Sequence, residues 1–286
     1  MAGSERPRAG VPGARRAAPV LLAVALATLA GCAARTAAPV PLDTRLAAPR
    51  LSWIRSDAQA LASAARVMTH DLRCPPVQAT LHLFRDEAAF EAGLIARGAP
   101  PALAREAART MTAVSSHRVV LANERRLNRL PWASRTFVLA HELGHVLQYE
   151  LADGVRGRSE QWLREGFAEW IAMRVVSRLG GLPFTRLAAA RARTVAGWPG
   201  PMPPLVSLGS FTDWARATDG PRSPPLTELV TLAVIDLIET YGLDALLQYF
   251  RASAAPSDAE SDFRDAFGVT RAAFDARMAT RYGAGR

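Results

Sequence analysis

Hydrophobic positions fall into three regimes along the chain. Residues 20–30 form one short apolar stretch interrupted only by Thr28, residues 51–122 mix helical and strand spacing, and from Trp132 onward the spacing is almost entirely helical. In the middle regime, residues 52–68 carry apolar side chains at helical intervals. Residues 77–84 (VQATLHLF) have the β-branched, partly alternating pattern of a strand. Two further helices are predicted over 86–97 and 102–111, and a second strand over 117–122 (HRVVLA), before a polar stretch at 123–128. The last regime is broken by Gly180-Gly181, by the proline-rich stretch 197–225, and by Gly242 and Gly268. Helices are predicted over 226–240, 243–252 and 269–282, and Ala266-Phe267-Gly268-Val269-Thr270 reads as a helix stop followed by a threonine cap. The sequence contains no internal repeat. The expected fold class is α+β, a small mixed or antiparallel sheet followed by a run of helices.

The first regime changes what counts as the folded chain. Arg6, Arg8, Arg15 and Arg16 precede the apolar run, with Glu5 the only acid among them, and Gly31-Cys32 follows it. This is the layout of a signal peptide; the run is far short of the roughly 20 residues that a spanning helix needs. Leu29-Ala30-Gly31-Cys32 resembles the lipobox of bacterial lipoproteins. That resemblance implies cleavage before Cys32, acyl chains on its thiol and amine, and anchoring in a membrane leaflet. Ala33 beside the cysteine implies outer-membrane sorting, facing the periplasm, in a Gram-negative source. An ordinary secretory signal with an incidental cysteine and an uncleaved short anchor are the alternatives, and both still export the protein. The expected organisation is then a signal at 1–31, an Ala/Pro-rich tether at 32–50, and one body at 51–286, with the sheet and first motif helix in 51–151 and mainly helices in 152–286.

With 49% apolar residues, 286 positions suffice for a sizeable core and exclude a disordered or collagenous chain. The formal charge of +9 is carried wholly by arginine, because no lysine occurs. Removing 1–31 takes four arginines and one glutamate, leaving 31 basic against 25 acidic residues, or +6. The remainder forms no basic run with interleaved aromatics, so no nucleic-acid partner is expected, and weak attraction to anionic lipid is the more natural use. Cys32 and Cys74 cannot make a disulfide scaffold, and Cys74 reads as a packed lone thiol.

The chemistry lies at the centre of the chain. In His141-Glu142-Leu143-Gly144-His145 the histidines are four residues apart, one helical turn plus about 40°, so both imidazoles project from one face and can grip one ion. Glu142 flanks that face. Phe137, Ala140, Gly144, Leu147 and Leu151 form the adjoining apolar stripe. Gly144 costs the helix about 1 kcal/mol relative to alanine, which predicts close approach of another backbone. Farther on, Gln161 to Trp170 (QWLREGFAEW) is again helical, and Glu165 and Glu169 share a face. Their repulsion disappears if one binds a cation and the other accepts an imidazole N–H.

Together these segments resemble the gluzincin metallopeptidases, most closely the small bacterial peptidase MA-like family, strongly over 137–171 and more loosely beyond. The resemblance implies a zincin-like fold. It also implies one zinc ion held by His141, His145 and Glu165, Glu142 as general base, and Glu169 orienting a ligand histidine. Two imidazoles and one carboxylate leave a fourth position for water, the arrangement of catalytic zinc. The implied activity is hydrolysis of peptide bonds in a peptide or protein substrate. The family's oxyanion-binding tyrosine is not matched, because Leu226-Thr227-Glu228-Leu229 stands there; Tyr149, Tyr241 and His117 are substitutes by chemistry alone. His117 opens the expected second strand, which is either a plain sheet strand or an edge that receives a peptide. His70 and His82 read as surface or strand residues, and Trp198 and Trp214 as part of an irregular cover near the site. Two other functions stay open: a metal-binding lipoprotein that captures peptides or assists envelope assembly with little hydrolysis, and a structural lipoprotein without metal.

Overall fold

In the computed structural model the described residues are 50–219, 223–255 and 258–282, together with the two-residue strand β1 (Arg35–Thr36). The signal segment, Cys32 and the rest of the tether lie outside them. No helix among the described residues is long and apolar enough to cross a membrane.

The first described helix is shorter than its apolar spacing predicts. A 3-10 turn at Leu51–Trp53 precedes α1 (Asp57–Arg66), whose cap is Ser56, its hydroxyl accepting from the Gln59 amide at 3.2 Å. A π turn at Val67–Asp71 follows. Strand β2 (Thr80–Phe84) leads into α2 (Glu87–Ala96), capped by Asp86, and α3 (Pro101–Thr110). Strands β3 (Ala113–Ser116) and β4 (Val119–Asn123) form a hairpin. Here the sequence reading is corrected: His117 does not open a strand but sits with Arg118 (φ 59°) in the hairpin turn, and β3 was not anticipated. The short α4 (Glu124–Leu127) occupies the polar stretch, with Asn123 as its cap.

The sheet order is β1-β2-β4-β3, with β2 and β4 parallel and both outer pairs antiparallel. Strand β4 is therefore interior, which rules out the edge role considered for 117–122; β3 is the edge. β1 pairs within the expected tether, because backbone pairing to the free side of β2 requires no side-chain period. Period-two alternation splits the strand residues between two cores. Phe84 and Leu121 pack with Phe90, Leu94, Ala104 and Ala108 of α2 and α3. Leu81, Val120 and Ala122 face the larger core, shared with α1 and the C-terminal helices.

That core is built around α5 (Trp132–Leu151), α6 (Gln161–Arg178) and α9 (Leu226–Tyr241). Helix α6 is central and buries residues on every side. Two glycines permit its close neighbours. A Cβ on Gly144 would meet the Ala168 Cα at 2.9 Å, and one on Gly166 the Val230 carbonyl oxygen at 2.3 Å. The backbone approach predicted at Gly144 is thus present. Around this core lie α7 (Phe184–Ala196), α8 (Phe211–Thr218), α10 (Leu243–Ala252), α11 (Ala259–Phe267) and α12 (Arg271–Tyr282). Gly268 takes the left-handed conformation (φ 68°) that ends α11, and Thr270 then caps α12 by accepting from the Ala273 amide at 3.1 Å, as the motif predicts. Helix α8 lies within the stretch read as a proline-rich break, and α11 is the helix whose stop at Gly268 is predicted without its start. The architecture is mainly helical with a small mixed sheet, an α+β arrangement.

Candidate metal centre

Helices α5 and α6 cross over a cleft of about 640 Å³, with β3 along one wall and Phe211 and Thr227 at the other. His141 and His145 point into it from α5, and Glu165 meets them from α6. The two Nε2 atoms are 3.1 Å apart. Glu165 sits astride them, one oxygen 3.6 Å from His141 Nε2 and the other 3.6 Å from His145 Nε2. Ligands bonded at 2.0–2.2 Å to one tetrahedral ion stand about 3.3–3.6 Å from each other; here the two Nε2 atoms are slightly closer than that, and one atom from each of the three residues lies within 4.8 Å of the others, so small side-chain shifts would let the three hold one ion. The donor set, two imidazoles and a carboxylate, is likewise the one that suits zinc.

The surrounding groups fix which ring atoms face the cleft. His141 Nδ1 is 3.2 Å from Glu169 Oε1, whose other oxygen is bonded by Arg191 of α7. His145 Nδ1 is 3.0 Å from Gln148 Oε1, and the Gln148 amide donates to the Arg164 carbonyl at 2.8 Å, tying α5 to α6. If both Nδ1 atoms carry hydrogen toward these acceptors, both Nε2 lone pairs point at each other across the cleft. Such a juxtaposition is relieved by a proton on one of the two rings, which makes the 3.1 Å contact a hydrogen bond, or by a cation between them.

Charge at the site points the same way. Burial by itself would push the His141 imidazole toward its neutral form, but hydrogen bonds and attraction from Glu165 and Glu169 outweigh it and lift the ring well above the ordinary histidine range. Glu165 is held below the usual carboxylate range, its burial outweighed by His145 and His141. Glu169 is also lowered, with His141 and Arg191 overcoming its burial. The cluster is built to surround positive charge.

Glu142 is 7% exposed and faces the same cleft, its Oε2 accepting from the Ser115 hydroxyl at 2.7 Å. Gln161 donates to Glu165 Oε1 at 2.6 Å and accepts from Arg156. The sequence reading names His141, Glu142, His145, Glu165 and Glu169, and the structure brings all five together. It misses Ser115, Gln148, Gln161 and Arg191. Gln148 and Gln161 lie three and four residues from a ligand on the ligand's own helix, a spacing that makes them detectable. Ser115 and Arg191 come from distant elements and leave no such signal.

Of the candidate oxyanion donors, only Tyr149 lines the cleft. His117 lies in the hairpin turn, 3.4 Å from Glu150, and Tyr241 is bonded by Arg277; neither lines the cleft, because their elements turn away from the α5–α6 crossing. Thr227 occupies the start of α9 facing the cleft. Trp198 and Trp214 do not line it; the proline-rich stretch contributes Phe211 instead. Cys74 is buried in the main core, away from the cleft, and burial pushes its thiol up to about 12. His70 is exposed, and His82 lies in β2 beside Arg97. No family model, curated protein or solved structure matches the chain.

Proposed function

We propose that this chain is a zinc-dependent peptidase of zincin-like fold, exported and anchored to a membrane through lipidated Cys32. The observation that carries the reading is the cluster of His141, His145 and Glu165, one ligand atom of each within 4.8 Å of the others, lining the cleft and flanked by Glu142. A zinc ion held there supplies Lewis acidity, polarising a peptide carbonyl and making a water molecule easier to deprotonate. Glu142, held by Ser115, takes the proton from the attacking water and delivers it to the departing amine. Glu169 and Gln148 keep the imidazoles turned with Nε2 inward. The edge strand β3 offers unpaired backbone groups along the cleft, to which an extended peptide adds as another strand. Of the tyrosines named as oxyanion donors by chemistry, Tyr149 lines the cleft.

The absence of the family's tyrosine from Leu226-Thr227-Glu228-Leu229, of which Thr227 lines the cleft, favours a second reading, a metal-holding lipoprotein that binds peptides with little turnover. One comparison separates the two. Metal content and hydrolysis of denatured protein substrates are measured for the wild type, for Glu142→Ala and for chelator-treated protein. The peptidase reading requires about one zinc per chain in the first two, with activity lower by about 10²–10⁴-fold in Glu142→Ala and absent after chelation. Equal, negligible turnover in all three leaves the binding reading, and absence of zinc from the wild type leaves neither.

A further inference from the structure

One end of the cleft, beside Gln161, has a chemistry that the hydrolytic machinery does not use. Arg164 is 3% exposed yet lines the cleft, and Arg156 lines it at the exposed rim. Burying a guanidinium is costly unless an anion compensates it. Three other arginines meet that rule, Arg135 facing Asp57, Arg191 facing Glu169 and Arg271 facing Glu160; Arg174, outside the cleft, rests instead on the rings of Trp170 and Phe184. Arg164 is more deeply buried than these, and no carboxylate among the described residues lies within ion-pair distance of it. Its Nη1 donates to the Arg156 carbonyl at 2.8 Å and to the Ser159 hydroxyl at 3.3 Å. The guanidinium carries five N–H donors, and no described residue accepts from its Nε or Nη2. Its Cζ lies over the Tyr149 ring, 5.3 Å from the centroid, a cation–π contact.

The acids of the cleft are otherwise engaged. Glu142 is bonded by Ser115, Glu165 by Gln161 and the imidazoles, and Glu169 by His141 and Arg191. We propose that Arg156 and Arg164 form a subsite for a carboxylate of the substrate, so that the cleft selects peptides carrying an anionic group next to the bond presented at the metal. Arg156 is two hydrogen bonds from Glu165, through Gln161. A carboxylate held there is therefore within about two residues of an extended chain from the metal ligands. A planar fork on a rigid ring is the geometry that recognises carboxylates in pairs of parallel hydrogen bonds. The carboxylate is either the C-terminus of the peptide or an acidic side chain, and the inference rests on the peptidase reading for its substrate class.

The test uses the full chain carrying Glu142→Ala, so that peptides bind without turnover, and titration calorimetry with two matched pairs. In the first pair an apolar peptide ends in a free carboxylate or in an amide; in the second, two amidated peptides differ by one Glu or Gln. The expected result is that the charged member of at least one pair binds about tenfold more tightly or better. Adding Arg156→Gln or Arg164→Gln brings that ratio close to one. Which pair responds identifies the source of the carboxylate. A merely structural arginine weakens both members of a pair alike, so an unchanged ratio in these variants overturns the proposal, as does equal binding within both pairs. If Arg164→Gln does not fold, Arg156→Gln at the exposed rim decides. Carboxylate-dependent binding with no hydrolysis by the zinc-loaded wild type removes the peptidase and leaves the subsite; hydrolysis indifferent to both pairs does the reverse.

Discussion

Replacing Gly144 by alanine sets helix propensity against helix spacing. Alanine favours the helix by about 1 kcal/mol. Its methyl group, however, would lie 2.9 Å from the Ala168 Cα and 3.2 Å from the Ala168 Cβ, where ordinary contact begins at 3.4 Å. The obstacle is backbone, so no rotamer relieves it, and α5 and α6 must part by about half an ångström. Overpacking of this kind costs about 1–3 kcal/mol, which exceeds the propensity gain and leaves a net loss near 1 kcal/mol. The same displacement acts on the metal triangle, because Gly144 adjoins His145 and Ala168 lies three residues beyond Glu165. Coordination distances tolerate changes of only about 0.2 Å, so zinc affinity should fall by about tenfold or more. Competition against a chromophoric chelator measures the affinity, and thermal unfolding with and without chelator measures the stability. A Gly144→Ala protein with wild-type zinc affinity and an equal or higher Tm would refute the idea that this contact sets the ligand spacing.

Glu169→Ala should lower zinc affinity by about 10–100-fold in the same competition assay, because His141 loses the group that fixes its ring; Gln148→Ala should act likewise through His145. Cys74 should resist alkylation in the native protein at pH 8 and react fully in denaturant. Its folded-state value of about 12 is raised by burial, so the thiolate that reacts is scarce until the core opens, and mass spectrometry counts the adducts.

The legible parts of this protein were those governed by local rules. The Gly268 stop with its Thr270 cap and the packing stripe of α5 depend on neighbours within a turn or two, and the sequence displays them directly. The candidate metal ligands were legible because helical periodicity places His141 beside His145, and because Glu165 and Glu169 repeat that spacing. Strand β3 was not, since AVSS is too short and too polar to stand out, and its partner was mistaken for a possible edge. Edge position belongs to the assembled sheet. Ser115 and Arg191 escaped for the same reason, reaching Glu142 and Glu169 from elements 27 and 22 residues away.

Ser115 lies on the edge strand itself, and its hydroxyl bonds Glu142. On the peptidase reading, one piece of backbone therefore both receives the incoming chain and aims the base. A guest must bring its own unsatisfied amides and carbonyls to that edge, and a well-folded domain has already committed those groups to internal helices and sheets. The cleft thereby sorts polypeptides by conformation before side chains are read, admitting loosened or nascent segments and passing over compact ones.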